Sequence, residues 1–176
     1  MRRKLMFGGV VMAVFVGAAA YELDVLATPQ NGFSGTTIAR GTFEDINIAN
    51  HLLREVGDST PQKDLWLSLQ KTKGLSDLYV QNNAWTPGGS TGWHTHPGHS
   101  LIIVTAGVVT AYEGDDASCT AREYTVGMGF VDPGGDHVHL LRNEGPVEAR
   151  TVAVQLLPAG ATRRIDADKP AGCNVF

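Results

Sequence analysis

From Leu65 onward, apolar and polar residues alternate in short runs. Leu65, Leu67 and Leu69 form one, Leu78 and Val80 another, and Val152, Val154 and Leu156 a third, within "ARTVAVQLLP" from Ala149. A period of two sends successive side chains to opposite faces of an extended chain, so each run predicts a half-buried strand. Leu101 to Tyr112 is a longer β-rich run, broken at Ala106-Gly107, where a hairpin turn or bulge is expected. Val126 to Val131 and Val138 to Leu141 read as short strands flanking "DPGGD". Strands this short, with turn residues between them, argue for a sandwich or barrel rather than βαβ units. Ahead of them the pattern changes. Ile46, Ile48, Leu52, Leu53 and Val56 have a partly helical spacing, which predicts a short helix within Glu44 to Val56 that Gly57 and Pro61 would end. Thr28 to Arg40, rich in Gly, Ser, Thr and Asn, reads as a linker or extended arm.

The first 27 residues follow a different logic. Arg2, Arg3 and Lys4 precede Leu5 to Ala20, an uncharged and mostly apolar run, and Val25-Leu26-Ala27 offers small residues where a signal peptidase reads. The run is shorter than the roughly 20 residues of a spanning helix, so we expect cleavage after Ala27 and a secreted or periplasmic product rather than an anchor. Arg2-Arg3 also permits a twin-arginine route. The expected organisation is a signal peptide at 1–27, an N-terminal arm and helix at 28–60, and a barrel with a C-terminal tail at 61–176. The chain from Thr28 on would carry 11 Lys+Arg against 16 Asp+Glu, a formal charge of −5. With no basic block beyond Arg163-Arg164, nothing builds the positive field that nucleic acid requires. Cys119 and Cys173, an even count in an exported chain, are expected to pair and tie down the tail.

The candidate chemistry lies in the histidines. Five of the six fall between His94 and His139. His94 and His96 are two apart, as are His137 and His139, and in a strand each pair would share a face. If both pairs face into one barrel, their imidazoles converge, and imidazole suits Fe, Cu, Ni, Zn and similar ions. His51 has no metal-type neighbours and reads as a surface residue. Asp132 and Asp136 could reach the mouth of such a site, but beside Pro133 and Gly135 they read first as turn-formers. Trp93 and Tyr112 could line a pocket, although an aromatic in a strand is ordinarily core.

Two stretches resemble the motifs of the cupin family. Gly88, five residues, His94-Thr95-His96, three residues, Ser100, six residues and Gly107 fit the first motif, except that Ser100 stands where the family has glutamate. Gly127, five residues, Pro133-Gly134-Gly135, His139 and Asn143 fit the second, with one extra residue before His139. The resemblance implies an all-β fold, a cupin-type double-stranded β-helix or jelly-roll barrel with a short N-terminal helix or arm. It also implies a divalent transition metal (Fe, Mn, Zn, Cu or Ni) on His94, His96 and His139. The extra residue keeps His137 as a fourth ligand or a donor to one. Ser100 shares the face of His94 and His96 but is a poor ligand, and His99 falls on the opposite parity, facing outward. By the same resemblance, two copies would pair through Thr28 to Phe43. The function implied is a metal-dependent, oxygenase-type enzyme acting on a small organic substrate. The alternatives are a non-catalytic cupin that binds a metal or small ligand, and a barrel whose site has degenerated at Ser100.

Overall fold

Alternating β-branched and aromatic residues are built as strands throughout the computed structural model, which describes residues 28–56 and 62–175. The strands are β1 (Asn31–Phe43), β2 (Asn47–Val56), β3 (Gln62–Lys71), β4 (Ser76–Ser90), β5 (His94–Thr95), β6 (Ser100–Ala106), β7 (Val108–Glu113), β8 (Arg122–Thr125), β9 (Gly129–Asp132), β10 (His139–Arg142), β11 (Ala149–Pro158) and β12 (Ile165–Asp166). There is no helix among the described residues, and so none long and apolar enough to cross a membrane.

Ten strands form one continuous sheet in two runs, β1-β4-β11-β6-β9 and β12-β5-β10-β7-β8, all pairs antiparallel, and β2 with β3 forms a separate two-stranded sheet. They are joined where Arg142 of β10 meets Ser90 of β4. The result is the nearly closed jelly-roll barrel expected from the strand pattern. Ala106-Gly107 is a break rather than a hairpin, because β6 pairs with β11 and β9, β7 pairs with β10 and β8, and the two do not pair with each other. Gly107 has φ +65°, and a Cβ there would lie 2.6 Å from the Glu148 carbonyl oxygen. Glycine is therefore required where the chain passes from β6 to β7.

Ahead of the barrel, one expectation is corrected and one takes a definite form. The helix expected over Glu44 to Val56 is strand β2, paired residue for residue with β3 from Asn47↔Lys71 onward. Spacing of 3.6 was only partial there, and a neighbouring strand offers every backbone group a partner, which overrides weak periodicity. The arm expected at Thr28 to Arg40 is largely β1, which pairs along the length of β4. Its threonines and Ile38 suit a pleated strand, and its glycines do not prevent one. Residues 1–27, where the export segment is expected, lie outside the described residues, as do Gly57 and Pro61.

The barrel buries two apolar clusters. Trp85, Val104, Val109, Ala111, Leu141 and Ala149 form one, with Phe33 against Trp85 at 4.9 Å between ring centroids. Trp93, Tyr112, Leu140 and Cys173 form the other. Full burial of each large side chain stabilises by roughly 1.5–3 kcal/mol. Trp93 and Tyr112 are thus core rather than pocket wall. The Trp93 Nε1–H donates to the Val175 carbonyl, and the Tyr112 hydroxyl donates to Glu144. The Cys119–Cys173 disulfide forms as expected and fastens the tail beside this second cluster.

Candidate metal centre

Three strands meet at the histidines. His94 of β5 stands opposite His139 of β10 on one side and Asp166 of β12 on the other. The two motif turns are stitched together beneath them: Gly135 N–H donates to the His96 carbonyl at 2.7 Å, and the Thr95 hydroxyl donates to the Gly135 carbonyl at 2.5 Å. Gly134 (φ +68°) packs so closely that a Cβ would lie 2.3 Å from the Gly98 carbonyl oxygen. Asn143 closes the second motif from a fully buried position, donating to the Trp85 and Val147 carbonyls. Its place in the motif is therefore structural.

The rings of His94, His96 and His139 converge, with centroids 4.8, 4.4 and 5.4 Å apart pairwise. One ligand-type atom from each lies within 4.8 Å of the others. His94 Nδ1 faces the Gly92 carbonyl at 2.9 Å, and His96 Nδ1 faces the Arg163 carbonyl. A ring N–H given to a carbonyl leaves Nε2 as the lone-pair nitrogen, the arrangement that orients metal-binding histidines. His139 Nδ1 is turned toward the His137 carbonyl at 3.5 Å. Burial lowers the pKa of all three rings, that of His94 well below its ordinary value. They are accordingly held neutral, the form a metal takes. This donor set fits a divalent transition metal.

The second histidine pair divides. β10 begins at His139, so His137 lies in the turn before it and the period-two relation fails. His137 Nε2 meets Glu113 at 2.9 Å, and its Nδ1 is 3.8 Å from Asp132. With His139 and Asp132 it makes a second cluster of ligand-type atoms beside the first. His99 faces away, lining apolar and polar hollows with Leu156 on the other side of β6. His51 is exposed on β2 and belongs to neither cluster.

The three-histidine group opens into a cavity of ≈ 290 Å³. Its wall also carries Gln81, Asn83, Gln155 and Arg163 beside Trp85 and Ile102. Arg163 stacks on Tyr79, its guanidinium carbon 4.3 Å from the ring centroid, while its Nε donates to Gln155. Sequence reading passed over these groups. A signal was present: Gln81, Asn83 and Trp85 alternate along β4, and Gln155 takes an inward position after Thr151 and Ala153 in β11. It also set Asp132 aside as a turn-former. Asp132 does serve the turn, accepting the Gly134 N–H at 2.9 Å, yet it is buried and lines the cavity. Asp136 is exposed, belongs to neither cluster of ligand-type atoms, and lines a separate hollow with His137.

Residues 84–155 match the family model of the cupin domain. Solved structures with similar folds include peruvianin-I, a cysteine peptidase from Thevetia peruviana latex, at 27% identity over 44% of this chain and 49% of that one, TM-score 0.39. An oxalate oxidase is similar at 22% identity over 47% and 46%, TM-score 0.40. The polyketide cyclase RemF of Streptomyces resistomycificus is similar at 19% identity over 54% and 65%, TM-score 0.44. The matched part of this chain thus spans about half the length of the first two. No curated protein matches the chain.

Proposed function

This chain is a cupin-domain protein, and on that premise we propose that it is an exported metal-dependent enzyme of oxygenase type. It would hold a divalent transition metal on His94, His96 and His139 and act on a small, polar or anionic organic substrate. The observation that carries the reading is the convergence of three neutral imidazoles, those of His94 and His139 buried and that of His96 partly so, with Nδ1 of His94 and His96 committed to backbone carbonyls. Such an ion, when bound, supplies Lewis-acid polarisation and open positions for dioxygen or a chelating substrate. The chain's own residues supply the rest. Gln81, Asn83 and Gln155 offer amide donors and acceptors, and Arg163 offers a fixed guanidinium for a carboxylate. Trp85, whose buried Nε1–H has no acceptor, adds an unmet donor at the same cavity. Phe33, Ile102 and Leu141 add an apolar patch to the wall. Export is supported by the sequence pattern of residues 1–27 and by the disulfide, which belongs to oxidising compartments.

The test is metal analysis of protein purified from its native compartment, followed by oxygen uptake on a panel of small organic acids. One equivalent of metal in the wild type, falling below about a tenth in His94→Ala/His96→Ala, is the expected result. Equal, sub-stoichiometric metal in both would end the metal reading. Tightly held zinc or copper without turnover would replace the enzyme with a binding protein.

A further inference from the structure

The β6–β9 pairing sets Ser100 directly across from Asp132. Both side chains point inward, both residues are buried, and both line the three-histidine cavity. One oxygen of Asp132, Oδ1, is fixed by the Gly134 N–H. The other, Oδ2, lies 3.4 Å from the Ser100 hydroxyl and 3.7 Å from His96 Nε2. Two donors each roughly 2.1 Å from one ion stand about 3–4 Å apart, so Oδ2 stands from His96 Nε2 at the separation of a fellow ligand, while Asp132 also clusters with His137 and His139.

Resting on the three-histidine reading above, we propose that Asp132 is a fourth ligand to the metal, a carboxylate delivered from β9 across the strand pair from Ser100. Three considerations carry it. The ion-pair neighbours that the structure gives Asp132 are all imidazoles, of His96, His137 and His139. A carboxylate buried among neutral rings is costly until a cation joins it, and a dication on three neutral imidazoles equally lacks a compensating charge. One placement meets both needs. Secondly, Asp132 does not hold the His139 ring by a short hydrogen bond: its Oδ1 is 3.6 Å from His139 Nδ1, which also has the His137 carbonyl at 3.5 Å. Thirdly, the Ser100 hydroxyl is neutral and a poor ligand, and it is sited to donate to Oδ2, so it reads as a support for the carboxylate. The site becomes three imidazoles and one carboxylate, with the carboxylate and its supporting hydroxyl on adjacent strands.

The experiment uses the full chain stripped of metal and titrated with Mn(II), which favours oxygen ligands, following loss of the free-ion electron paramagnetic resonance signal. Asp132→Asn keeps the acceptor for Gly134 N–H and so preserves the turn, which far-ultraviolet circular dichroism checks. It should weaken Mn(II) binding about a hundredfold or more. Loss of a group that only orients a ligand also costs about 10–100-fold, so a second variant separates the roles. Ser100→Glu in the Asp132→Asn background puts a carboxylate back from the facing strand and should restore binding to within about tenfold of wild type. An Asp132→Asn protein that binds within about threefold of wild type overturns the inference. So does a double variant no tighter than the single. A wild-type chain that takes up neither Mn(II) nor any other divalent ion overturns the three-histidine reading along with it, whereas the first two results leave that reading standing.

Discussion

Two carboxylates are buried among the described residues, Asp77 and Asp132, and their surroundings are opposite. Asp77, at the start of β4, accepts from the Thr42 hydroxyl at 2.7 Å, from Arg40 at 2.6 Å and from the Gly160 N–H at 3.1 Å. Cation and hydrogen bonds are both present, so its charge is answered within the protein. Asp132 has one backbone N–H, a long contact to a hydroxyl, and imidazoles. The first carboxylate closes a structural corner between β1, β4 and the tail. The second is left with a capacity the fold itself does not use. A buried charge that is fully met marks structure, and one that is met only in part marks a place where something else binds.

The C-terminal tail touches both neighbourhoods, which makes it the largest lever on the comparison. It gives the Gly160 N–H to Asp77, the Arg163 carbonyl to His96, β12 to β5, and the Ala167 N–H to the Trp93 carbonyl. The Cys119–Cys173 bond holds its far end. Cys119→Ser/Cys173→Ser should lower unfolding free energy by about 4 kcal/mol in the chain-entropy account, read from urea midpoints. Amide exchange should rise at Ala167 and around His96 while the Asp77 corner stays protected, since Gly160 follows directly on β11. Equal deprotection at both ends would dissolve the distinction drawn between them.

A smaller effect separates the two carboxylates directly. Asp77→Asn should lower the melting temperature of the metal-free protein, on the order of 5 °C, and leave metal-induced stabilisation intact. Asp132→Asn should leave the metal-free protein as stable as wild type or more so, because it removes a buried charge without a cation. It should also lose most of the roughly 2.7 kcal/mol that a ligand at a hundred times its dissociation constant provides. Thermal melts with and without Mn(II) decide the matter. Parallel behaviour of the two variants would show that burial, rather than the partners, governs both sites.

How far the sequence spoke for the fold and site follows the same line between local and non-local information. The barrel was legible because alternation is local: "ARTVAVQLLP" is β11 to the residue. His94, His96 and His139 were legible from spacing and motif together, and they do converge. What spacing could not supply was register. His137 shares parity with His139 only if a strand reaches back to it, and β10 starts two residues too late. Ser100 read as the absence of a ligand because the residue facing it lies 32 positions away, on a strand whose pairing no local pattern announces. The misread helix at β2 has the same origin, since the partner strand β3 decided between two weak periodicities.

The finest test of the comparison is acid. The Thr42 hydroxyl first, then Arg40 and the Gly160 N–H, hold the Asp77 carboxyl down to about 2, against 3.8 ordinarily. A group whose folded pKa is depressed stabilises fully above its unfolded value and loses that contribution as pH falls through the folded one. The advantage of wild type over Asp77→Asn should therefore be constant above about pH 5, shrink as pH falls from about 4 toward 2, and vanish below. Metal-free protein is the right sample, because metal release in acid would add its own slope. Melting temperatures of the two proteins across that range give the answer. A gap that persists unchanged to pH 2 would mean that Asp77 acts through shape and hydrogen bonds that asparagine already lacks at every pH. Its charge would then not be what Arg40 answers, and the contrast with Asp132 would have to rest on geometry alone.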